Sequence, residues 1–182
     1  MNVRRALIHP SCNLGYPWNS PSTLDEWRDD PSRKIDLLIE ILQWHLKTDG
    51  QPPLTVVDDK LVPSEKQSKN PANGASKNAP DKVVVYCEFP SAFVQIRHVG
   101  GFLPVIYYHS LCHQVLKLHN IQSLELHGNV PIAQRPEVTR RFTSSTRDGP
   151  RVLLMTTVGL VGLNLPCANI LVKVVSVSYF SP

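Results

Sequence analysis

The chain has 182 residues, enough for one domain of ordinary size, and its 42% hydrophobic content can supply a buried core. Its longest apolar stretch, residues 99–112, contains Pro104 and His109 and is shorter than the roughly 20 residues that cross a bilayer, so we expect no membrane span. The net charge of +4 permits contact with nucleic acid but does not establish it, because many proteins with other partners carry a similar excess.

The cysteines predict a reduced, intracellular protein without a metal centre. They are scattered through the chain and form no CxxC pair: Cys12, Cys87, Cys112 and Cys167. His109, Cys112 and His113 lie close together in sequence, but a structural zinc site needs four ligands in paired spacing. We therefore expect no metal ligands.

The first 81 residues predict one helix between two segments without regular structure. Residues 1–32 mix prolines with polar residues and predict a loose, disordered lead-in. Residues 33–49 predict an amphipathic helix, since apolar residues recur at three- and four-residue steps: Ile35, Leu38, Ile39, Leu42 and Leu46. Residues 50–81 predict a flexible linker, because a segment dominated by Pro, Lys, Ser, Asn and Asp cannot offset the entropy of ordering.

Residues 82–177 predict a parallel α/β sheet. Short apolar or β-branched runs predict strands near 82–88, 121–127, 151–156 and 170–177. Residues 134–146 permit a helix with one apolar stripe, which Gly149 and Pro150 end. Strands that alternate with helices or loops are typical of a parallel sheet, and residues 178–182 are left as a tail.

Two motifs in this region carry a resemblance to a known family. In LHGNVPIAQRPEVTRRF, residues 126–142, a strand ends in a hydrophobic-x-Gly turn before a helix with Arg135 and Phe142. In RVLLMTTVGLVGLNLPCANILV, residues 151–172, a glycine loop fits helicase motif V except at Met155, Val158 and Leu160. With KVVVYCEFPSAF from Lys82, these segments resemble the second helicase lobe of the Snf family of chromatin-remodelling and repair ATPases.

The resemblance implies a fold, a set of site residues and partners. The fold is an incomplete RecA-like helicase C-terminal lobe of the P-loop NTPase type. The implied contacts with the DNA phosphate backbone are Gly128, Arg135, Thr156 and Thr157, and the implied motif V residues at the nucleotide cleft are Gly159, Gly162, Leu163 and Asn164. The complete enzyme would be nuclear, would bind ATP and Mg²⁺, and would have a first RecA-like lobe as its partner.

The arginines in this region leave two interpretations open. Arg135, Arg140, Arg141, Arg147 and Arg151 form a locally basic stretch that would suit a phosphate backbone. Each of them is equally typical of an ordinary solvated helix face.

Parts of an ATPase are missing from the sequence. It contains no GxxxxGK[ST] loop and no Asp-Glu pair at a strand end, and it stops before the arginines of motif VI. We therefore expect no catalytic residues and no ATP hydrolysis by this chain alone. Residues 94–113 and 173–182 lose the resemblance abruptly, and are interpreted either as translated introns or as a genuine insertion and a genuine terminal strand.

Two other functions stay open. A non-catalytic interaction module would associate with a first lobe or another subunit without salt-sensitive DNA binding. A non-functional truncated gene product would lack cooperative unfolding.

Overall fold

The computed structural model describes residues 21–57, 60–64, 79–87, 111–128, 130–156 and 165–174. The described helices are α1 (Leu24–Asp29), α2 (Arg33–Thr48), α3 (Leu111–Leu118) and α4 (Arg135–Ser144), with a 3₁₀ turn at Ile132–Gln134. The described strands are β1 (Leu54–Val57), β2 (Lys60–Pro63), β3 (Val83–Cys87), β4 (Ser123–Leu126), β5 (Val152–Met155) and β6 (Ile170–Val174). No helix among these residues is long and apolar enough to cross a membrane.

The central sheet has the order β4-β5-β3-β6, and each of its pairings is parallel. Val83 lies opposite both Val152 and Ile170, and Ser123 lies opposite Val152, so the strands begin at one edge and end at the other. The α/β fold with a parallel sheet is therefore confirmed, and each predicted strand is found within its predicted range. Of the predicted last strand, residues 175–177 lie outside the described part of the chain.

Helices cover both faces of the sheet. On one face, buried residues of α2 and α3 pack against Val83, Val85, Val152 and Leu154. On the other face, the fully buried Phe142 of α4 packs among Val84, Leu153 and Met155. Strand residues alternate between the faces, so β3 and β5 need apolar side chains at every position, as their sequences VVVYC and VLLM show.

The amphipathic helix predicted before the sheet is α2, but the segment in front of it also contains a helix. The prediction of a loose lead-in is wrong for α1, where Thr23 Oγ1 accepts a hydrogen bond from the Glu26 N–H at 3.2 Å and caps the first turn. Trp27 is buried, and its indole N–H donates to Asp36 Oδ1 at 3.0 Å. One cap and one buried aromatic thus order a helix too short to show periodicity.

The prediction of a flexible linker over residues 50–81 is wrong for its first part. β1 and β2 form an antiparallel pair, with Leu54 opposite Pro63 and Val57 opposite Lys60. Each apolar run is too short to bury itself in a core, but the two satisfy each other's backbone hydrogen bonds. Residues 65–78 lie outside the described part of the chain.

The predicted insertion, residues 94–113, ends inside a helix. Leu111 and Cys112 lie in the first turn of α3 and are buried in the core beneath the sheet. Residues 94–110 are not among the described residues.

A polar cluster with three buried members, His45, Asp81 and Arg151, joins α2 to the edge where the strands begin. This amino-edge cluster consists of His45 and Asp49 from α2 and its C-cap, Asp81 before β3, Arg151 before β5 and Asn169 before β6. Arg151 Nη1 donates to Asp49 Oδ1 at 2.6 Å, and Arg151 Nη2 donates to the Leu46 carbonyl at 2.6 Å. Arg151 therefore fixes the end of α2 against the sheet.

Asp81 lies at the centre of this cluster. Its Oδ1 accepts from Asn169 Nδ2 at 2.6 Å, its Oδ2 lies 3.2 Å from His45 Nδ1, and its own N–H donates to Asp49 Oδ1 at 3.0 Å. Asp81 and His45 are each 1% exposed. The contacts replace the hydration of the Asp81 carboxylate, whereas His45 Nε2 has no hydrogen-bond partner within the described residues. Segments far apart in sequence are thus joined through one carboxylate.

Candidate functional site

The predicted site residues that the structure describes lie at the edge where the strands end. Gly128 follows β4 and Thr156 follows β5 directly, and β4 and β5 are neighbours in the sheet. The Thr156 N–H donates to the Leu126 carbonyl at 3.3 Å, which holds the two strand ends side by side. Gly128 and Thr156 therefore follow the ends of neighbouring strands. We call this region, with Arg135, the carboxyl edge.

Thr156 combines deep burial with an unused hydroxyl. The residue is 0% exposed, and its Oγ1 has no hydrogen-bond partner within the described part of the chain. A buried hydroxyl that lacks a partner costs free energy, so the position favours a ligand or neighbour that supplies one.

The remaining predicted residues follow Thr156 directly in sequence. Thr157, Gly159, Gly162, Leu163 and Asn164 lie outside the described residues, so their assignment to motif V stays a prediction.

Arg135 turns back toward the loop after β4. Its Nε donates to the Val130 carbonyl at 3.0 Å, and its Nη2 donates to the Gly128 carbonyl at 3.4 Å. Arg135 is the first residue of α4, and the 3₁₀ turn just before it, closed by a 2.9 Å bond from Gln134 N–H to the Pro131 carbonyl, directs it onto that loop. The structure thus places Arg135 beside Gly128.

His127 is a residue of the carboxyl edge that the sequence motifs did not single out. It lies between β4 and Gly128 and is 7% exposed. Burial lowers its pKa below the ordinary value, the charge of Glu125 partly opposes this, and the charge of Arg135 adds to the lowering. The imidazole is therefore neutral at neutral pH. The sequence signal that could have identified His127 is its position directly before the glycine turn.

The arginines that follow do not form a single basic surface. Arg140 donates to both carboxylate oxygens of Glu137 at 2.8 Å, and Arg147 Nε donates to Asp49 Oδ2 at 3.0 Å. Arg151 lies at the amino edge and is 7% exposed. Arg141 is exposed and, within the described residues, its guanidinium makes no hydrogen bond. For most of these arginines the structure therefore favours a structural or solvated role over contact with a phosphate backbone.

An apolar groove runs along the outer side of α4. Its volume is about 660 Å³, and its lining includes Ile132, Pro136, Thr139 and Thr143. Ile132 is 78% exposed, so its apolar side chain is available at this groove.

Metal-ligating residues do not cluster in the described segments. No three His, Cys, Asp or Glu residues there lie close enough to hold a metal ion. His109, which the sequence places near Cys112 and His113, lies outside those segments.

Comparisons with known proteins agree on the fold. The family model described as helicase conserved C-terminal domain matches residues 69–176. Among solved structures, the chain is similar to the crystal structure of the C-terminal part of the Fun30 ATPase domain, with a TM-score of 0.50 and 18% identity over 82% of this chain. The chain spans 32% of the length of that solved chain. No curated protein matches it. The RecA-like fold of a helicase C-terminal lobe is thereby confirmed.

Proposed function

We propose that this chain, which belongs to the helicase conserved C-terminal domain family, is the second RecA-like lobe of a Snf-family translocase that moves along DNA with ATP. The observation that carries the proposal is the juxtaposition of Gly128 and Thr156 at the carboxyl ends of neighbouring parallel strands. Open α/β sheets bind their ligands beyond the carboxyl ends of their strands. The resemblance of the two motifs suggests that the ligand here is the phosphate backbone of DNA.

In this proposal the carboxyl edge binds phosphates and catalyses no reaction. A translocase must hold phosphates without reading sequence, and backbone N–H groups and short hydroxyls serve that purpose. Gly128 has no side chain that would hold a phosphate away, and the fully buried Thr156 would act by positioning the residues that follow it. Thr157, with the motif V residues Gly159, Gly162, Leu163 and Asn164, would complete the contact and the link to the nucleotide cleft.

ATP chemistry in this proposal depends on a first RecA-like lobe. When ATP and Mg²⁺ are bound, they supply the phosphoryl group and the counter-charge for its transfer. The sequence has no GxxxxGK[ST] loop, which is the part of such an enzyme that holds the phosphates of ATP. We therefore expect this chain to bind DNA without hydrolysing ATP. The nuclear location that the family resemblance implies belongs to the same proposal.

A salt titration of DNA affinity tests this function. We would measure the anisotropy of a labelled DNA duplex of mixed sequence at increasing salt, and expect the logarithm of affinity to fall linearly with a slope of about −0.9 for each phosphate contacted. Thr156→Val should weaken binding, because it removes the buried hydroxyl at the carboxyl edge. Thr48→Val, the same change at the end of α2, should not.

Absence of binding, or affinity that does not change with salt, would contradict the DNA-binding proposal. If Thr156→Val and Thr48→Val changed the affinity equally, the carboxyl edge would not be the DNA-binding site.

A protein-interaction role is the second candidate, and the apolar groove along α4 favours it. The exposed Ile132 and the apolar floor of the groove suit burial against another protein surface. This role predicts association with a first helicase lobe that Ile132→Asp weakens and added salt leaves unchanged.

A further inference from the structure

The loop after β4 is closed by hydrogen bonds that converge on its carbonyl groups. The Val130 N–H donates to the His127 carbonyl at 3.0 Å and forms the turn. From outside the turn, Arg135 donates to the Val130 carbonyl at 3.0 Å and to the Gly128 carbonyl at 3.4 Å. One guanidinium therefore spans two carbonyls of the same loop.

This arrangement suits a guanidinium better than any other side chain. Its donors are fixed in a planar fork, so two acceptors held by it cannot move independently. Within the described residues no carboxylate forms a hydrogen bond with Arg135, and its half-buried side chain is held by these two carbonyls. Arg141, two turns later on α4, is exposed and free of such bonds in the same segments.

The contacts also change what the loop presents to an anion. Carbonyl oxygens carry partial negative charge, and two of them near a phosphate would repel it. A charge-assisted hydrogen bond offsets that repulsion and fixes each carbonyl in one direction. The loop is then held in a shape that a phosphate can approach.

We infer that Arg135 is a positioning residue, which acts on DNA by holding the loop after β4 and does not itself contact a phosphate. This inference rests on the proposed function and specifies how the same edge is organised.

The experiment compares Arg135→Met with Arg141→Met in the full chain. DNA affinity is measured over a salt series, and hydrogen exchange of the Val130 amide is measured without DNA. We expect Arg135→Met to weaken binding about tenfold at every salt concentration without changing the salt slope, and to speed Val130 exchange about tenfold, as loss of a net hydrogen bond or two implies. Arg141→Met is the matched control, because it removes an exposed arginine of the same helix that makes no hydrogen bond with this loop, and it should leave Val130 exchange unchanged.

A third variant, Arg135→Lys, keeps the charge but loses the fork. Positioning predicts weaker binding at an unchanged slope, whereas direct phosphate contact predicts wild-type binding. A slope reduction of about one in Arg135→Met overturns the inference whatever the exchange data show. If the wild-type chain shows no salt-dependent binding, the proposed function fails. In that case the inference about the loop is still tested by hydrogen exchange of the Val130 amide in Arg135→Met and Arg135→Lys. If the amide exchanges at the wild-type rate in both variants, Arg135 does not hold the loop.

Discussion

At the scale of single residues, Asp81 is a buried carboxyl group whose surroundings shift its pKa. Burial by itself raises the pKa of this carboxyl, but hydrogen bonds from His45 and Asn169 and from the Gly50 backbone outweigh it, so the pKa lies below the ordinary 3.8. A carboxylate with a depressed pKa stabilises the folded state at any pH above its ordinary value. That stabilisation is lost as pH falls through the folded pKa.

We expect Asp81→Asn to lower the free energy of unfolding by about 3 kcal/mol at neutral pH, because it removes one charge from a buried, hydrogen-bonded cluster. The difference from wild type should stay constant down to the ordinary pKa of 3.8 and shrink below it. Urea unfolding over a pH series measures this. Asp25→Asn is the control, since its ion pair with Arg28 is exposed and should contribute little at any pH. If the difference in the free energy of unfolding grew as the pH fell, the pKa of Asp81 would be raised and not lowered.

Some residues of the candidate site could be predicted from the sequence, and others could not. Gly128 and Thr156 were expected at the site from motifs, and the parallel sheet brings them together because their strands are neighbours. The partners of Arg135 were not predictable, since they depend on the 3₁₀ turn that directs it back to the loop. His127 was missed because a single histidine beside a glycine has no periodic signal.

Among the elements, α2 and the four strands of the central sheet were predicted, whereas α1 and the β1-β2 pair were not. α2 has sixteen residues and repeats its apolar face several times, so its periodicity identifies it. α1 has six residues and β1 has four, and each depends on a partner elsewhere: Asp36 for the indole of Trp27, and β2 for the β1 backbone. A local pattern cannot reveal such partners. The position of α2 against the sheet likewise depends on contacts distant in sequence.

The attachment of α2 gives a matched pair of substitutions, since Arg147 and Arg151 both pair with Asp49. The Arg151 side chain is 7% exposed and that of Arg147 is 61% exposed. We expect Arg151→Met to lower the free energy of unfolding by about 3 kcal/mol, because it leaves Asp49 half-paired and the Leu46 carbonyl without its donor. Arg147→Met should cost less than about 1 kcal/mol. Chemical denaturation measures both, and equal losses would mean that burial does not set the strength of this attachment.

For the whole molecule, the two cores share the same strands. β3 and β5 each contribute alternate residues to the core under α2 and α3 and to the core under α4. A sheet covered on both faces cannot lose one cover without exposing apolar residues of the strands beneath it. The described α/β unit should therefore unfold as one cooperative body, whereas the β1-β2 pair, whose described side chains belong to neither core, can open separately.

Leu153 and Leu154 test this cooperativity, because they are adjacent on β5, fully buried, and point into different cores. We expect Leu153→Ala and Leu154→Ala each to lower the free energy of unfolding by about 3 kcal/mol through lost burial and a new cavity. Hydrogen exchange should then show the same loss of protection in α2 and in α4 for either variant, since both covers depend on one sheet. Protection lost only in α4 with Leu153→Ala, and only in α2 with Leu154→Ala, would show that the two faces unfold independently. In that case the exchange of amides in β3, which serves both cores, would follow whichever face opens first.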